Sequence, residues 1–352
     1  MIESPPSSTA DQTDSAVESE FAARRRWGAD WVRESGRRLT RWDERGVFGA
    51  LVIVFCFASI FCPNFLNVAN LASILQDITF LGFLAVGMTF ALLAGEIDIS
   101  VGSTFGLVAV VTALLFQHGS ATLLAILGGL AVGLAAGFVN GIAAVSLGVP
   151  AIIVTLATLG IYRTFSLVLT HETAIGGLPE GRFFFSKVGL GTVLGSISWL
   201  SIMFLVAAVI AALVLKRTPF GFRVYSVGSN PAAARLVGMN VTRIRVLVLT
   251  ISGLMAAIAG VLSVAYLDSA TATEGSGYEL DALAAVIIGG AKLSGGRGTI
   301  TGTTLGLFIV GIIRNMLVLA SVSTDWQQAV AGVVLIGAVA MDRFARRKER
   351  RA

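Results

Sequence analysis

KRTPFGFRVYSVGSNPAAARLVGMNVTRIR, residues 216–245, is a polar island between two apolar runs, with six Lys/Arg and no Asp or Glu. A short helix is written into it. Ser229 or Asn230 can cap free backbone N–H groups, Pro231 suits a first turn, and Gly238 suits a stop. The signals predict a helix over Ala232 to Val237, mostly alanine, whose small faces can press closely against another protein. Two readings are open on these residues alone: a docking knob on the inner face of a membrane protein, or an ordinary basic loop between helices. The flanking sequence decides.

The 352 residues are 55% hydrophobic and only 13% charged, with 40 glycines. Soluble domains carry about 25% charged residues, and several apolar runs here approach the roughly 20 residues that cross a bilayer core. The expected class is all-α: a polytopic membrane protein of about ten transmembrane helices. Frequent glycine suits close helix packing in lipid. The net charge of +5 does not point to nucleic acid, because the basic residues sit in tails and loops, where membrane orientation accounts for them. Cys56 and Cys62 lie six apart and read as small core residues rather than a disulfide or metal site.

Residues 1–20 are rich in Ser, Thr, Asp and Glu without Lys or Arg, and read as disordered. Residues 21–46 hold eight Arg with Trp27, Trp31 and Trp42, either an interfacial helix or a solvated tail. No apolar run begins before Val47, so no cleavable signal peptide is expected. Apolar runs follow at about 47–62, 71–94, 101–117, 122–145, 151–170, 198–215, 244–267, 281–291, 300–319 and 326–341. Ten crossings put both termini on one side. If that side is cytoplasmic, inner tails and loops hold 22 of the 26 basic residues, and Arg182 and Lys187 alone lie outside. The expected layout is a tail over 1–46, a membrane domain over 47–342 with an inner loop at 216–243, and a basic tail over 343–352. Residues 281–291 are too short to cross alone and read as a short or broken helix sheltered by neighbours. GSTFGLVAV at 102–110 echoes GTTLGLFIV at 302–310, as repeated halves in transporters do, although both copies run the same way.

No G-x-x-x-x-G-K-[ST] occurs, so the chain has no ATP site of its own. His118 and His171 form no ligand-spaced cluster, and Gly275-Ser276-Gly277 lacks both outer glycine spacing and a nearby base, so no enzyme is expected and no metal. Arg163 and Arg314 are costly in lipid and should face protein or water. In AGEIDISVGS (94–103), Asp98 or Ser100 can cap the next helix near Gly102. Asp98 has a structural reading and a pathway reading. Thr155, Thr158 and Tyr162 share a helix face, either a polar path or glue between helices. DSATATEGSGYELD (268–281) has four acids and no base: a solvated loop, or a docking surface for an external partner.

Four segments, AGEIDISVGS, GVPAIIVTLATLGIYR (148–163), TPFGFRVYSVGSNPAAARLVG (218–238) and GSGYELDALAAVIIGGAKLSGGRGTITGTTLG (275–306), together resemble the permease subunits of bacterial ABC importers. The nearest group is the ribose/xylose-type sugar permeases, in a superfamily shared with branched-chain amino-acid permeases. The resemblance spans about residues 60–342. It implies a multi-pass protein of the bacterial inner membrane that imports a small sugar or polyol by alternating access. It implies as partners two cytoplasmic ABC ATPase subunits that bind the ATP and Mg, a second permease copy or paralogue, and a periplasmic substrate-binding protein. The chain itself would hold no cofactor. Gly228, Asn230, Pro231, Ala233, Ala234, Arg235 and Gly238 would seat in a groove on the ATPase. Members often carry an acid after that proline, where this chain has Ala232, and a second glycine before Ile-Asp, where it has Glu96. Candidate pathway residues are Asp98, Ser100, Ser103, Thr155, Thr158, Tyr162 and Arg163. Candidate docking residues for the binding protein are Asp268, Glu274 and Glu279. The same machinery for a branched-chain amino acid or other small solute, and an ion-coupled secondary transporter, are the alternatives.

Overall fold

The computed structural model describes residues 45–178, 184–193, 197–323, 326, 329–330, 332–337 and 340. The tail expectations for residues 1–44, Arg182 and 341–352 lie outside them. The described chain runs α1 (Arg45–Phe61), α2 (Val68–Leu93), α3 (Val101–Gln117), α4 (Thr122–Leu147) and α5 (Ala151–Thr170), then α6 (Trp199–Arg217), α7 (Pro219–Ser229), α8 (Pro231–Leu236), α9 (Val241–Leu267), α10 (Tyr278–Ile288) and α11 (Ile300–Leu319). Between α5 and α6 lie one π turn, Phe184–Gly189, and a two-residue antiparallel pair, β1 (Thr192–Val193) with β2 (Ile197–Ser198). The class is helical, as the apolar runs predict. Among the described residues, six helices, α2, α4, α5, α6, α9 and α11, are long and apolar enough to cross a membrane.

Helix ends follow local chemistry. Asn67 caps α2 by accepting from the Ala69 N–H at 2.9 Å, and Thr299 caps α11 through the Gly302 N–H at 2.9 Å. Gly148 closes α4 at φ 67°, a conformation that glycine adopts without strain. Helix α2 is the centre: every residue from Ile78 to Leu93 is buried, as expected of a helix apolar on all sides. Helices α4, α5 and α6 bury one face each and turn Leu134, Leu156 and Leu205 outward. Cys56 is exposed on α1 and Cys62 half-buried, so Cys56 is not the core residue expected; it lies on the outward face of that helix.

Glycines set how closely α4 and α9 approach. Gly129, Gly133, Gly137 and Gly141 recur every fourth residue, on one helical face. That face lies directly on the backbone of α9: Gly133 and Gly137 against Gly253, and Gly141 against Val246. The order of these pairs makes the helices antiparallel. Small residues admit backbone-to-backbone packing where lipid supplies no hydrophobic drive between helices.

The short run resolves into a broken helix. Helix α10 has 11 residues, about 16 Å of rise against a core of about 30 Å. It is preceded by a non-helical segment, 269–277, folded in against the first turns of α3: Gly275 lies on Phe105 and Gly102, and Glu274 on Gly106. On the other side, residues 94–100 are non-helical before α3. Irregular backbone between such helices is tolerable only under the shelter of neighbours, which α3 gives to 269–277.

The packing also has an internal symmetry. Helix α3 lies against α4 and α9, as α10 lies against α11 and α2; α4 lies along α9, as α11 lies along α2. Exchanging α2 with α9, α3 with α10 and α4 with α11 maps this arrangement onto itself. Since Gly87 meets Ser252 while Phe80 meets Tyr266, α2 and α9 run in opposite directions, so the halves are inverted. The echo of 102–110 with 302–310 is not this repeat, because it pairs α3 with α11, which do not correspond. Its basis is packing: Gly102 and Gly106 meet the backbone at Gly275 and Glu274, and Gly302 and Gly306 meet it at Gly289 and Ala285.

Candidate functional site

The stretch 216–245 folds as two helices rather than one. Thr218 caps α7 through the Gly221 N–H at 3.2 Å, with Pro219 in its first turn. Asn230 ends α7 and caps α8, accepting from the Ala233 N–H at 3.0 Å. Pro231 opens α8, one residue earlier than the sequence places it, and the chain leaves through Gly238 at φ 80°. Of the expected contact residues, Asn230, Ala233, Arg235 and Gly238 are exposed and Pro231 half-exposed. Gly228 and Ala234 are buried, so they join the knob to the bundle rather than face outward. The outermost residues are Leu236 and Val237, 89% and 72% exposed. The sequence reading passed over these two, and over α7. An apolar pair between a basic residue and a glycine stop was the available signal.

The knob is held at one end of the bundle by close backbone and side-chain contacts. Gly228 lies on the Leu93 carbonyl and the Gly296 amide, and Gly296 N–H donates to Leu93 at 2.9 Å. Tyr225 Oη donates to the Gly298 carbonyl at 2.8 Å. Just past the knob, Arg245 on α9 pairs with Glu96 at 2.8 Å, and the Ala151 N–H at the start of α5 donates to Glu96 at 3.3 Å. Burial raises the Glu96 pKa above the ordinary carboxylate value, and the Arg245 guanidinium and the Ala151 amide oppose that rise. Where the resembling family has glycine, Glu96 therefore ties α9 and α5 to the segment between α2 and α3.

The expected pathway residues form a closed network. Asp98, 1% exposed, accepts from the Ser100 N–H at 3.0 Å and the Ser100 hydroxyl at 2.6 Å. Neither side chain caps α3 as expected, because Asp98 closes its own turn two residues ahead. Asn140 on α4 donates to Ser100 Oγ at 2.9 Å and accepts from Tyr162 Oη at 3.0 Å. Thr155 Oγ donates to the Ile97 carbonyl at 3.1 Å, Thr158 Oγ to Thr155 at 3.3 Å, and Ser103 Oγ to Ser100 at 2.9 Å. In this conformation these groups spend their hydrogen bonds on one another and fasten the non-helical segment 94–100 to α4 and α5. Replacing Asn140 by leucine removes two buried hydrogen bonds, while Ser100 keeps its bond to Asp98 and Tyr162 its bond to the Ala136 carbonyl, and is expected to cost about 1–3 kcal/mol. A lowered melting midpoint in detergent would check this.

Arg163 secures the other non-helical segment. Its guanidinium donates to the Ala272 carbonyl at 2.7 Å and the Glu274 carbonyl at 2.8 Å. The Glu274 carboxylate turns inward to accept from Ser263, and Glu279 accepts from the Gly277 N–H at 3.2 Å. Among the three residues expected to meet an external partner, Asp268 alone is exposed.

The chain matches the family model described as branched-chain amino acid transport system / permease component over residues 70–339. It is similar to the ribose import permease protein RbsC of Bacillus subtilis (strain 168), 40% identical over 298 residues that cover 85% of this chain and 92% of that one. The ribose import permease protein RbsC of Escherichia coli (strain K12) is 39% identical over 83% of this chain and 91% of its own. The autoinducer 2 import system permease protein LsrC of Salmonella paratyphi B is 35% identical over 83% and 84%. No solved structure matches.

Proposed function

Because this chain belongs to the family of branched-chain amino acid transport system permease components, we propose that it is the membrane-spanning permease of an ATP-binding-cassette importer for a small sugar or polyol. Both termini and the α7–α8 knob lie in the cytoplasm, and about ten segments cross the inner membrane. ATP and Mg are bound by separate ATPase subunits, a second permease copy or paralogue completes the pore, and a periplasmic binding protein delivers the solute. The observation that carries this reading is the knob: a capped, outward-facing α8 with an apolar tip, joined by α7 to the end of α2 at Leu93 and to the connection between α10 and α11 at Gly296 and Gly298. The two relatives named as ribose import permeases favour ribose, and the relative named for autoinducer 2 import makes that solute the second candidate.

Packed helices switch between discrete arrangements rather than deform continuously. A pull on α8 passes through Gly228 to Leu93 and Gly296, and through Arg245 to Glu96. These contacts flank both broken helices, so one input from the ATPase tilts both halves of the inverted repeat. The test is uptake of labelled D-ribose in cells deleted for this chain and complemented with it. Uptake that vanishes when the ATPase subunit is deleted supports the reading; uptake that survives that deletion and collapses with a protonophore replaces it with an ion-coupled carrier.

A further inference from the structure

Helix α6 has 19 residues, about 28 Å of rise against a bilayer core of about 30 Å. An exposed Trp199 opens it, and Lys216 and Arg217 close it. Between them Met203, Val206, Ile210 and Leu213 are exposed at the spacing of one helical face, and that face runs on to Arg217. Tryptophan at one end, cations at the other and apolar side chains between are the pattern of a helix whose outer face meets lipid, with Lys216 and Arg217 at headgroup depth.

The chain then turns sharply. Thr218 Oγ donates to the Val214 carbonyl at 2.6 Å, and a side chain at Gly221 would enter the backbone of Leu215, so the first turn of α7 lies on the last turn of α6. Helix α7 buries Gly221, Val224, Val227 and Gly228, and Phe220 stacks on Phe90 of α2 at 6.3 Å. Its opposite face carries Phe222 and Arg223, both exposed. Lys216, Arg217 and Arg223 therefore flank one corner, and among the described residues none of them is in an ion pair. No Asp or Glu between 216 and 245 offsets their charge.

We propose that the α6–α7 corner binds the headgroup of an anionic phospholipid, its phosphate on the three cations and its acyl chains along the exposed stripe of α6. The choice of the inner leaflet rests on the orientation proposed above; the binding itself does not. Guanidinium groups donate paired N–H to phosphate oxygens, and the ammonium adds a point charge. Each cation at an anionic surface strengthens attachment about fivefold. Phe222 suits the boundary between headgroup and chain better than open water. A lipid held there braces α7, which carries α8 and lies through Gly228 on Leu93.

The test is lipid retention by the purified full-length chain in neutral detergent, offered equal phosphatidylglycerol and phosphatidylcholine, with the bound lipid identified by mass spectrometry. The wild-type chain is expected to hold phosphatidylglycerol in preference, and less so as salt rises. Lys216→Gln, Arg217→Gln and Arg223→Gln together are expected to reduce that preference at least about tenfold. Arg235→Gln, Arg243→Gln and Arg297→Gln, which remove the same charge from other exposed positions at this end of the bundle, are expected to keep it, as is the charge-conserving pair Arg217→Lys with Arg223→Lys. All the exchanged side chains are exposed, and an unchanged size-exclusion profile checks that each variant folds. Equal retention of the two lipids by the wild-type chain, or equal loss in both triple variants, overturns the proposal. So does a Lys216, Arg217 and Arg223 triple variant that keeps its lipid preference but loses the co-purifying ATPase subunit, which assigns the corner to a subunit contact. A wild-type chain that prefers phosphatidylglycerol but supports no ribose uptake upholds the corner and removes the importer reading.

Discussion

Gly137→Leu is expected to leave little or no folded protein in the membrane, whereas Gly160→Leu accumulates normally. Both glycines lie within apolar helices, so propensity and hydropathy treat them alike. The difference is what a side chain would meet. At Gly137 it would enter the backbone of α9, with the Thr250 Cα at 3.0 Å and the Gly253 Cα at 3.1 Å. At Gly160 nothing lies within 4 Å. Overpacking a core costs about 1–3 kcal/mol where side chains can move aside. Here the obstacle is main chain, and relief requires parting two helices that touch along their length, at a cost comparable to the whole stability of a domain, about 5–15 kcal/mol. Detergent-extracted yield and a size-exclusion profile for the two variants check this. Equal yields would remove the α4–α9 seam as the central contact of the fold.

The second large effect belongs to the knob. Leu236→Asp, and the pair Arg235→Ala with Gly238→Val, are expected to abolish uptake while the protein remains in the membrane at normal amount. Leu236 touches little of its own chain at 89% exposure, so its replacement costs the isolated fold almost nothing. Seated in a partner's groove, a leucine contributes about 1.5–3 kcal/mol, and a carboxylate in its place adds the penalty of burying charge. Together these weaken docking by two orders of magnitude or more. Gly238 holds φ 80°, where valine is strained by about 1–3 kcal/mol, so the exit of α8 would change shape. Uptake of D-ribose and stimulation of ATP hydrolysis should fall together. Normal uptake in Leu236→Asp would leave the knob without its role.

How much of this was legible depends on the range of each signal. Asn230, Pro231 and Gly238 act within a turn or two of themselves, so the start and exit of α8 could be read within one residue of where they fall. Helix α7 was missed because its sequence, PFGFRVYSVGS, has two interior glycines and little helix propensity; its stability comes from Gly228 and Tyr225 packing on residues 93, 296 and 298. The AGEIDISVGS stretch announced polar groups at a bend, but not that Asp98 would bond to Ser100 and leave α3 uncapped, or that Glu96 would find Arg245 from a helix far along the chain.

By itself, the sequence determined a helical membrane chain with these apolar runs and this capped polar island, because hydropathy and capping depend only on neighbouring residues. The tertiary structure alone decided which glycines carry the α4–α9 contact, which acids turn inward, and that Tyr278 and Arg314 meet. Those outcomes depend on helices far apart in the chain coming close enough for backbone to touch backbone, and no local pattern encodes that distance.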